Sequence, residues 1–257
     1  MAVASQKLAP PPSKSERFDN AAPARIESEY RGLKIWATAN LHSESMRVIN
    51  TLGLSRGSQS LDLGAGEGAF SLRLQDHGFA VTAAELELNK FRADAPCYNF
   101  DLNLDFHDKL SQKFDLVVGI ELIEHLQNPR HFIGNCLRLL NDNGALLVTS
   151  PNLESWVSRI RFLRDSRFLW FDESDYQKYG HITPIFSWQI EQICREFDAR
   201  VVRFDHTPNE LLWDSVGAGL LGKLTSKIMP MSVLYPLMKG RKHGEISIFV
   251  IRKNPTT

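Results

Sequence analysis

An apolar strand that runs into a glycine-rich turn constrains the fold of this chain more than any other feature. The segment reads Ser60-Leu-Asp-Leu-Gly-Ala-Gly-Glu-Gly-Ala-Phe70. Gly64, Gly66 and Gly68 allow the backbone to turn sharply and to approach a ligand without a Cβ clash. A helix that begins here presents free N–H groups and the positive end of its dipole at the same point. The pattern predicts a turn that binds a nucleotide or a nucleoside.

Two classes of ligand compete for this turn. Gly64, Gly66 and Ala69 satisfy the dinucleotide pattern G-x-G-x-x-G/A, and Glu85 follows at the distance that this pattern requires. Asp62 argues against a dinucleotide, because a carboxylate two residues before the first glycine repels a pyrophosphate and favours a cationic ligand. The motif also begins near residue 60, whereas a dinucleotide-binding fold usually opens with it. These observations favour a cationic nucleoside.

Three further segments follow the glycine turn. They are Val81-Thr-Ala-Ala-Glu-Leu86, Phe114-Asp-Leu-Val-Val118 with Glu121-Leu-Ile-Glu-His-Leu126, and Gly144-Ala-Leu-Leu-Val-Thr-Ser-Pro-Asn152. In this order and spacing, the four segments resemble the class I S-adenosylmethionine-dependent methyltransferases. The branch they look most like includes the ubiquinone-pathway and glycan-modifying O-methyltransferases. The resemblance covers residues 55–206 and returns at the last strand. It implies an α/β, Rossmann-like fold, a mostly parallel seven-stranded sheet with helices on both faces and an antiparallel last strand.

The chain after Ser60 alternates between strand and helix patterns, which is typical of a parallel sheet. Residues 25–54 carry apolar positions at helical spacing. The predicted strands span 59–63, 79–84, 97–100, 114–120, 145–149, 200–205 and 246–252. The predicted helices span 25–54, 67–77, 87–93, 129–140, 152–164 and 187–197.

Composition limits the compartment and the partners. Hydrophobic residues make up 43% of the chain, enough for a core, and 30 basic residues balance 30 acidic ones, so no nucleic-acid partner is expected. Three cysteines without a C-x-x-C pair indicate reduced thiols, and neither a disulfide nor a metal site is predicted. The sequence shows neither a signal-peptide pattern nor a run of about twenty apolar residues. We expect a cytoplasmic protein, with a disordered tail at 1–24 and a methyltransferase domain at 25–257.

The resemblance implies S-adenosylmethionine as the cofactor and assigns a role to each part of the turn. Asp62 is expected near its ammonium group. Glu85, at the end of a strand, can accept both ribose hydroxyls. Asp101 matches the acid that meets the adenine amino group, although Asp105 and Asp108 are close in sequence. The expected cofactor-binding residues are Asp62, Gly64, Gly66, Gly68, Glu85, Asp101, Ile120 and Glu121, the last two largely through their backbone.

Two histidines are candidates for the catalytic base. Methyl transfer to a hydroxyl requires alignment of the acceptor and removal of its proton, for which histidine is well suited. His125 follows the strand at 114–120, on the side where open α/β sheets bind ligands. His181 lies where members of the family often place a histidine on the acceptor side. Each could instead be a structural histidine that bridges loops, and Glu124 is a weaker candidate.

Two segments bear on the acceptor. Phe168–Tyr179 combines aromatic rings with carboxylates, which suits a polyhydroxyl ligand but equally an acidic, aromatic lid without sugar contact. An apolar and basic insertion at 208–244 fits an interfacial helix on an anionic membrane, reached through 211–242. The alternatives for this insertion are an extra cap on the domain or a dimer contact. Membrane contact would place the protein on the inner face of the membrane and would favour a lipid-linked acceptor.

These observations predict methyl transfer from S-adenosylmethionine to a hydroxyl of a glycan or lipid-linked sugar. A quinone precursor is the second candidate within the same class. A partner subunit that binds the cofactor without catalysis would keep the glycine turn and Glu85 but would need neither histidine. A dinucleotide oxidoreductase is the remaining rival. The sequence leaves the acceptor atom, the base and the oligomeric state open.

Overall fold

A computed structural model describes residues 27–207 and 243–255. The predicted tail at 1–24 and the predicted membrane contact at 211–242 lie outside these residues. The described elements follow in chain order: β1 Glu29–Tyr30, β2 Leu33–Lys34, α1 Leu41–Ile49, β3 Gln59–Leu63, α2 Ala69–Asp76, β4 Ala80–Ala84, β5 Cys97–Tyr98, β6 Phe114–Gly119, α3 Pro129–Leu139, β7 Leu140–Pro151, α4 Trp156–Asp165, α5 Glu173–Tyr179, α6 Ser187–Glu196, β8 Ala199–His206 and β9 Ile246–Lys253.

One seven-stranded sheet forms the centre of the described fold, in the order β5-β4-β3-β6-β7-β9-β8. Strands β3 to β7 pair in parallel, whereas β9 runs antiparallel to both β7 and β8. The prediction of a Rossmann-like, mostly parallel sheet with an antiparallel last strand is therefore confirmed.

Alternate residues of the strands supply two cores, one on each face of the sheet. Val117 belongs to a cluster with side chains of α3 and α6, such as Phe132 and Ile190. Its neighbours Leu116 and Val118 belong to a second cluster with side chains of α1 and α2. A central parallel strand needs helices on both faces, which explains why β6 is apolar along its whole length.

The N-terminal region differs from the helix predicted for 25–54. Strands β1 and β2 form a short antiparallel hairpin there, and helix α1 covers only Leu41–Ile49. Arg31 and Gly32, between the two strands, have φ angles of 48° and 82°. Such left-handed angles make a tight turn and interrupt a helix, so the apolar spacing in this region was misleading.

Two other segments differ from prediction. The helix expected at 87–93 is only a short 3-10 turn at Leu88–Lys90. Residues 141–144, which separate the predicted helix 129–140 from the predicted strand 145–149, lie inside β7, where the register with β6 shifts. Gly144 belongs in this irregularity because a Cβ there would lie 2.8 Å from the carbonyl oxygen of Phe114.

Candidate functional site

The glycine turn lies between β3 and α2, at the carboxyl end of the sheet. Gly64, Gly66 and Gly68 all have positive φ angles, of 69°, 56° and 89°. A Cβ at Gly68 would lie 2.6 Å from the Cβ of Ala93, and a Cβ at Gly66 would lie 3.2 Å from the ring of Trp36. Both the conformation and the close packing therefore require glycine at these positions.

Glu85, which follows β4, is joined directly to the turn. Its carboxylate accepts hydrogen bonds from the N–H groups of Gly66, at 2.8 Å, and of Glu87, at 3.1 Å. These two hydrogen bonds hold the carboxylate of Glu85 beside the turn, where the glycines have no side chains. The predicted bond of Glu85 to the ribose hydroxyls stays a prediction.

Asp62 is a buried carboxylic acid in β3, with 2% of its surface exposed. It accepts a 2.6 Å hydrogen bond from the hydroxyl of Ser71 in α2. Burial raises the pKa of Asp62 to about 7, and the negative charge of Glu85 adds to this rise while the Ser71 hydrogen bond opposes it. An arriving cation would favour the ionised form of this acid.

A cavity opens between the glycine turn and the N-terminal segment. Its lining includes Lys34, Trp36, His42, Asp62, Gly66 and Ile120. The nitrogen of Lys34 lies 3.3 Å from the centre of the Trp36 ring, so these two side chains cover the turn from the N-terminal side. His42 was not among the predicted site residues, because nothing in the sequence around it marks a binding position.

Asp101, the predicted adenine partner, is engaged in its own loop. Its carboxylate accepts hydrogen bonds from the backbone N–H of Asn103, at 2.9 Å, and from the Asn103 side chain, at 3.1 Å. It is not among the residues that line the cavity at the glycine turn. Its proposed contact with adenine stays a prediction.

Ile120 and Glu121 follow β6, and Ile120 lines the cavity at the glycine turn, while its contact with the cofactor stays a prediction. Glu121 was expected to act largely through its backbone, but its side chain also forms hydrogen bonds. Its carboxylate accepts hydrogen bonds from the N–H of Thr38, at 2.5 Å, and from the Thr38 hydroxyl, at 2.6 Å. Glu121 has a left-handed φ of 44°, and burial raises its pKa to about 7. This residue therefore ties the N-terminal segment to the end of the sheet.

His125 and His181 lie side by side, with ring centres 4.9 Å apart in an edge-on arrangement. Their loops are joined through the backbone, since the N–H groups of Ile182 and Thr183 both donate to the carbonyl of Glu124, at 3.0 and 2.9 Å. The structure thus brings together the two histidines that the sequence singled out separately.

Hydrogen bonds to carbonyl oxygens indicate the tautomer of each histidine. The Nδ1 of His181 lies 2.7 Å from the carbonyl oxygen of Trp170, and the Nδ1 of His125 lies 3.2 Å from that of Gly180. A carbonyl only accepts, so each Nδ1 carries the proton and each Nε2 the lone pair. Burial, followed by the neighbouring His181, lowers the pKa of His125, so that ring is neutral at pH 7.

Glu124, beside these histidines, is another acid with a raised pKa. It is fully buried, and within residues 27–207 and 243–255 neither carboxylate oxygen has a hydrogen-bond partner. Burial raises its pKa well above the ordinary value, and the charge of Glu121 adds to this rise. One ligand atom each from Glu124, His125 and His181 lies within 4.8 Å of the others, a spacing at which the three side chains could hold a metal ion. No metal site was predicted from the sequence here.

Aromatic rings of the segment Phe168–Tyr179 surround His181. The acid Asp172 of this segment is instead bonded to other groups of the protein. The rings of Phe171 and Tyr179 each lie 5.6 Å from that of His181. Asp172 caps helix α5 by accepting from the N–H of Asp175 and pairs with Arg161. The lid at Phe168–Tyr179 is therefore aromatic toward the histidines, and Asp172 is engaged in the lid's own fold.

Comparison with known proteins identifies the family. A family model described as a methyltransferase domain matches residues 38–203. The chain belongs to the S-adenosylmethionine-dependent methyltransferases. A "Ubiquinone biosynthesis O-methyltransferase" of Coxiella burnetii is 30% identical over 167 residues, which cover 60% of this chain and 71% of that protein. A relative of the same name from Rhodopseudomonas palustris is 25% identical and is covered over 62% of its length.

Solved structures share the fold of this methyltransferase at low sequence identity. A SAM-dependent methyltransferase from Archaeoglobus fulgidus has a TM-score of 0.59 at 16% identity, with 82% of this chain and 92% of that chain covered. The phosphoethanolamine N-methyltransferase 2 of Haemonchus contortus, in complex with S-adenosyl-L-methionine, has a TM-score of 0.50 at 15% identity. The alignment with that protein covers 83% of this chain and 53% of that one.

The residues of the turn fit the cofactor of this family. S-adenosylmethionine carries an ammonium group and a sulfonium, and the buried acid Asp62 lines the cavity. The missing Cβ atoms at Gly64 and Gly66 allow the side chains of Leu122 and Trp36 to pack directly against the backbone of the turn. Glu85 supplies a carboxylate next to these glycines, suited to a ribose diol.

We expect the binding of S-adenosylhomocysteine to depend on the ionisation of Asp62. The ligand ammonium stabilises the carboxylate, whereas the cofactor-free acid is protonated below pH 7. Affinity measured by calorimetric titration should therefore be about tenfold weaker at pH 6 than at pH 8. Asp62→Asn should bind more weakly and should lose this pH dependence. Glu121→Gln is the matched control and should keep it; pH-independent binding by the unmodified protein would contradict the assignment.

Proposed function

We propose that this methyltransferase transfers its methyl group to a phenolic hydroxyl of a quinone precursor. The observation that carries the proposal is the pair of His125 and His181, set against the aromatic rings of Phe171 and Tyr179. A flat aromatic acceptor can pack against such rings while its hydroxyl meets an imidazole nitrogen. The names of the two relatives, both ubiquinone biosynthesis O-methyltransferases, point to the same class of acceptor.

The lid supports an aromatic acceptor over a glycan. A sugar site requires carboxylates that are available for hydroxyl groups. Asp172 instead accepts from Ser174 and Asp175 and pairs with Arg161, while Asp175 is buried and accepts from the N–H of Asp172. Glu173, the remaining acid of the lid, accepts from Gln177. The predicted glycan acceptor therefore finds no support in these contacts.

His181 is the proposed base of the reaction. When bound, S-adenosylmethionine supplies an electrophilic methyl group on a sulfonium that leaves as a neutral thioether. The oxygen of the acceptor forms the new bond to the methyl carbon, and its proton passes to Nε2 of His181, which carries the lone pair. Hydrogen bonding of Nδ1 to the Trp170 carbonyl orients this ring. Burial lowers the pKa of His125, and we assign this ring to positioning the hydroxyl.

The acceptor class can be tested directly. Purified protein, S-adenosylmethionine labelled in its methyl group, and either a prenylated catechol or an alkyl glycoside are incubated together and analysed by mass spectrometry. We expect a methyl ether on the catechol and no product from the glycoside. The reverse result would contradict the proposal in favour of a glycan. Tight binding of S-adenosylhomocysteine without methylation of either compound would favour a partner subunit.

Replacing the proposed base should affect the chemical step alone. His181→Ala is expected to lower kcat by about 10²- to 10³-fold, because a general base contributes on this scale. The affinity for S-adenosylhomocysteine should change less than about twofold, since His181 is not part of the cavity at the glycine turn. Added imidazole should restore part of the rate, which a purely structural role would not allow. His77→Ala, a histidine that contacts the Arg73 carbonyl within α2, serves as the control.

A prenylated acceptor resides in a membrane, and we propose that residues 211–242 bring the protein to it. The described residues include no helix that is long and apolar enough to cross a bilayer. The sequence of 211–242 places lysines such as Lys223 and Lys227 next to apolar residues, a pattern typical of segments that lie on anionic membranes.

Charge reversal should release the protein from such a surface. Lys223→Glu combined with Lys227→Glu should weaken binding to phosphatidylglycerol vesicles by at least about tenfold, because each basic residue near the surface contributes about 1 kcal/mol. Lys109→Glu with Lys113→Glu makes the same change in net charge on the described domain and should bind as the unmodified protein does. Equal vesicle binding by all three proteins in a sedimentation assay would refute membrane contact through this segment.

A further inference from the structure

His42 is a buried histidine that the proposed chemistry does not use. It lies in the first turn of α1, with 6% of its surface exposed, and its Nδ1 has no hydrogen-bond partner among the described residues. A buried polar nitrogen without a partner destabilises the fold. Such groups are rare in folded proteins and usually receive their partner from a ligand or a water molecule. The position of His42 therefore requires an explanation.

The imidazole of His42 borders the cavity at the glycine turn. It lines this cavity together with Asp62 and Gly66, and its ring packs edge-on against Phe70 at 4.9 Å. Burial lowers the pKa of His42 to about 3, and the positive charge of Arg73 adds to this effect. The ring is thus neutral at pH 7 and offers one N–H donor and one acceptor nitrogen.

Three backbone donors of the turn are already engaged. The N–H groups of residues 64 and 65 donate to the carbonyl of Ala84, at 2.9 and 3.2 Å. The N–H of residue 66 donates to the carboxylate of Glu85. An anionic group in this cavity could use these three N–H groups only by breaking their hydrogen bonds, which favours a donor on a side chain. Of the described residues that line the cavity, His42 provides a buried donor, whereas Lys34 and Trp36 are exposed and stacked on each other.

The methionine moiety of S-adenosylmethionine carries two charged groups with opposite requirements. Its ammonium needs an acid, which Asp62 supplies. Its carboxylate needs a hydrogen-bond donor in the same cavity. We propose that the imidazole of His42 donates a hydrogen bond to the carboxylate of the methionine moiety and so selects cofactors that carry the whole amino acid. This inference concerns the cofactor and is independent of the acceptor proposed above.

Calorimetric titration with three ligands tests this role. S-adenosylhomocysteine carries the complete amino acid, its decarboxylated analogue lacks the carboxylate, and methylthioadenosine lacks the amino acid altogether. His42→Phe keeps an aromatic ring against Phe70 but removes the donor. We expect this variant to bind S-adenosylhomocysteine about tenfold to hundredfold more weakly, the range for a hydrogen bond to a charged group. Its affinity for the other two ligands should change less than about twofold.

A matched control and a stability measurement complete the test. His77→Phe replaces the histidine that directly follows α2, where Nδ1 contacts the carbonyl of Arg73, and should leave all three affinities unchanged. His42→Phe should unfold at the same temperature as the unmodified protein or higher, because the buried unpartnered nitrogen is gone. An equal loss of affinity for all three ligands would show that His42 only packs the cavity wall. Unchanged affinity for S-adenosylhomocysteine would also overturn the proposal.

Discussion

The parallel pairing of β3 with β6 is the constraint on which the rest of the site depends. Leu63 pairs with Gly119, so both strands end at the same level and the segments that follow them meet. Leu61 and Leu63 belong to the core on one face of the sheet, which turns Asp62 toward the opposite face and the hydroxyl of Ser71. A slip by one residue would bury the two leucines on the wrong face and push Asp62 into an apolar core. The hydrophobic pattern of one short strand thus sets the position of the acid, the turn and the cavity together.

Buried acids concentrate at this end of the sheet and carry a cost in stability. Burial raises the pKa values of Asp62, Glu121, Glu124 and Glu245 above their ordinary values, and for Asp62 the value rises from 3.8 to about 7. Between these two values the folded protein binds more protons than the unfolded chain, so the free energy of unfolding falls as the pH rises. A cation in the cavity reverses this effect by favouring the ionised acid. Of these acids Asp62 lines the cavity, so its ionisation is the one that a ligand with ammonium and sulfonium charges would favour.

Local patterns predict the centre of this fold well and its long-range contacts poorly. The strand at 59–63 and the turn at Gly64–Gly68 follow from alternating apolar residues and from glycines, which act over a few positions. Residues 25–54 also carry helical spacing, but the left-handed pair Arg31 and Gly32 ends that pattern in a hairpin. The hydrogen bonds between Thr38 and Glu121 join residues 83 positions apart, and no local signal in the sequence reveals them.

The contact between His125 and His181 could not be predicted from the sequence, and hydrogen bonds to carbonyl oxygens determine which nitrogen of each ring carries the proton. His125 and His181 were separate candidates, because sequence spacing does not report whether two loops meet. The loops meet through backbone hydrogen bonds from Ile182 and Thr183 to the carbonyl of Glu124, which side-chain identity does not encode. Each imidazole then uses Nδ1 to bond a carbonyl oxygen, and this choice leaves the lone pair of His181 on Nε2. A ring that is oriented through one nitrogen and basic at the other has the arrangement that proton abstraction requires. The backbone that joins the loops therefore determines the chemistry of the histidines.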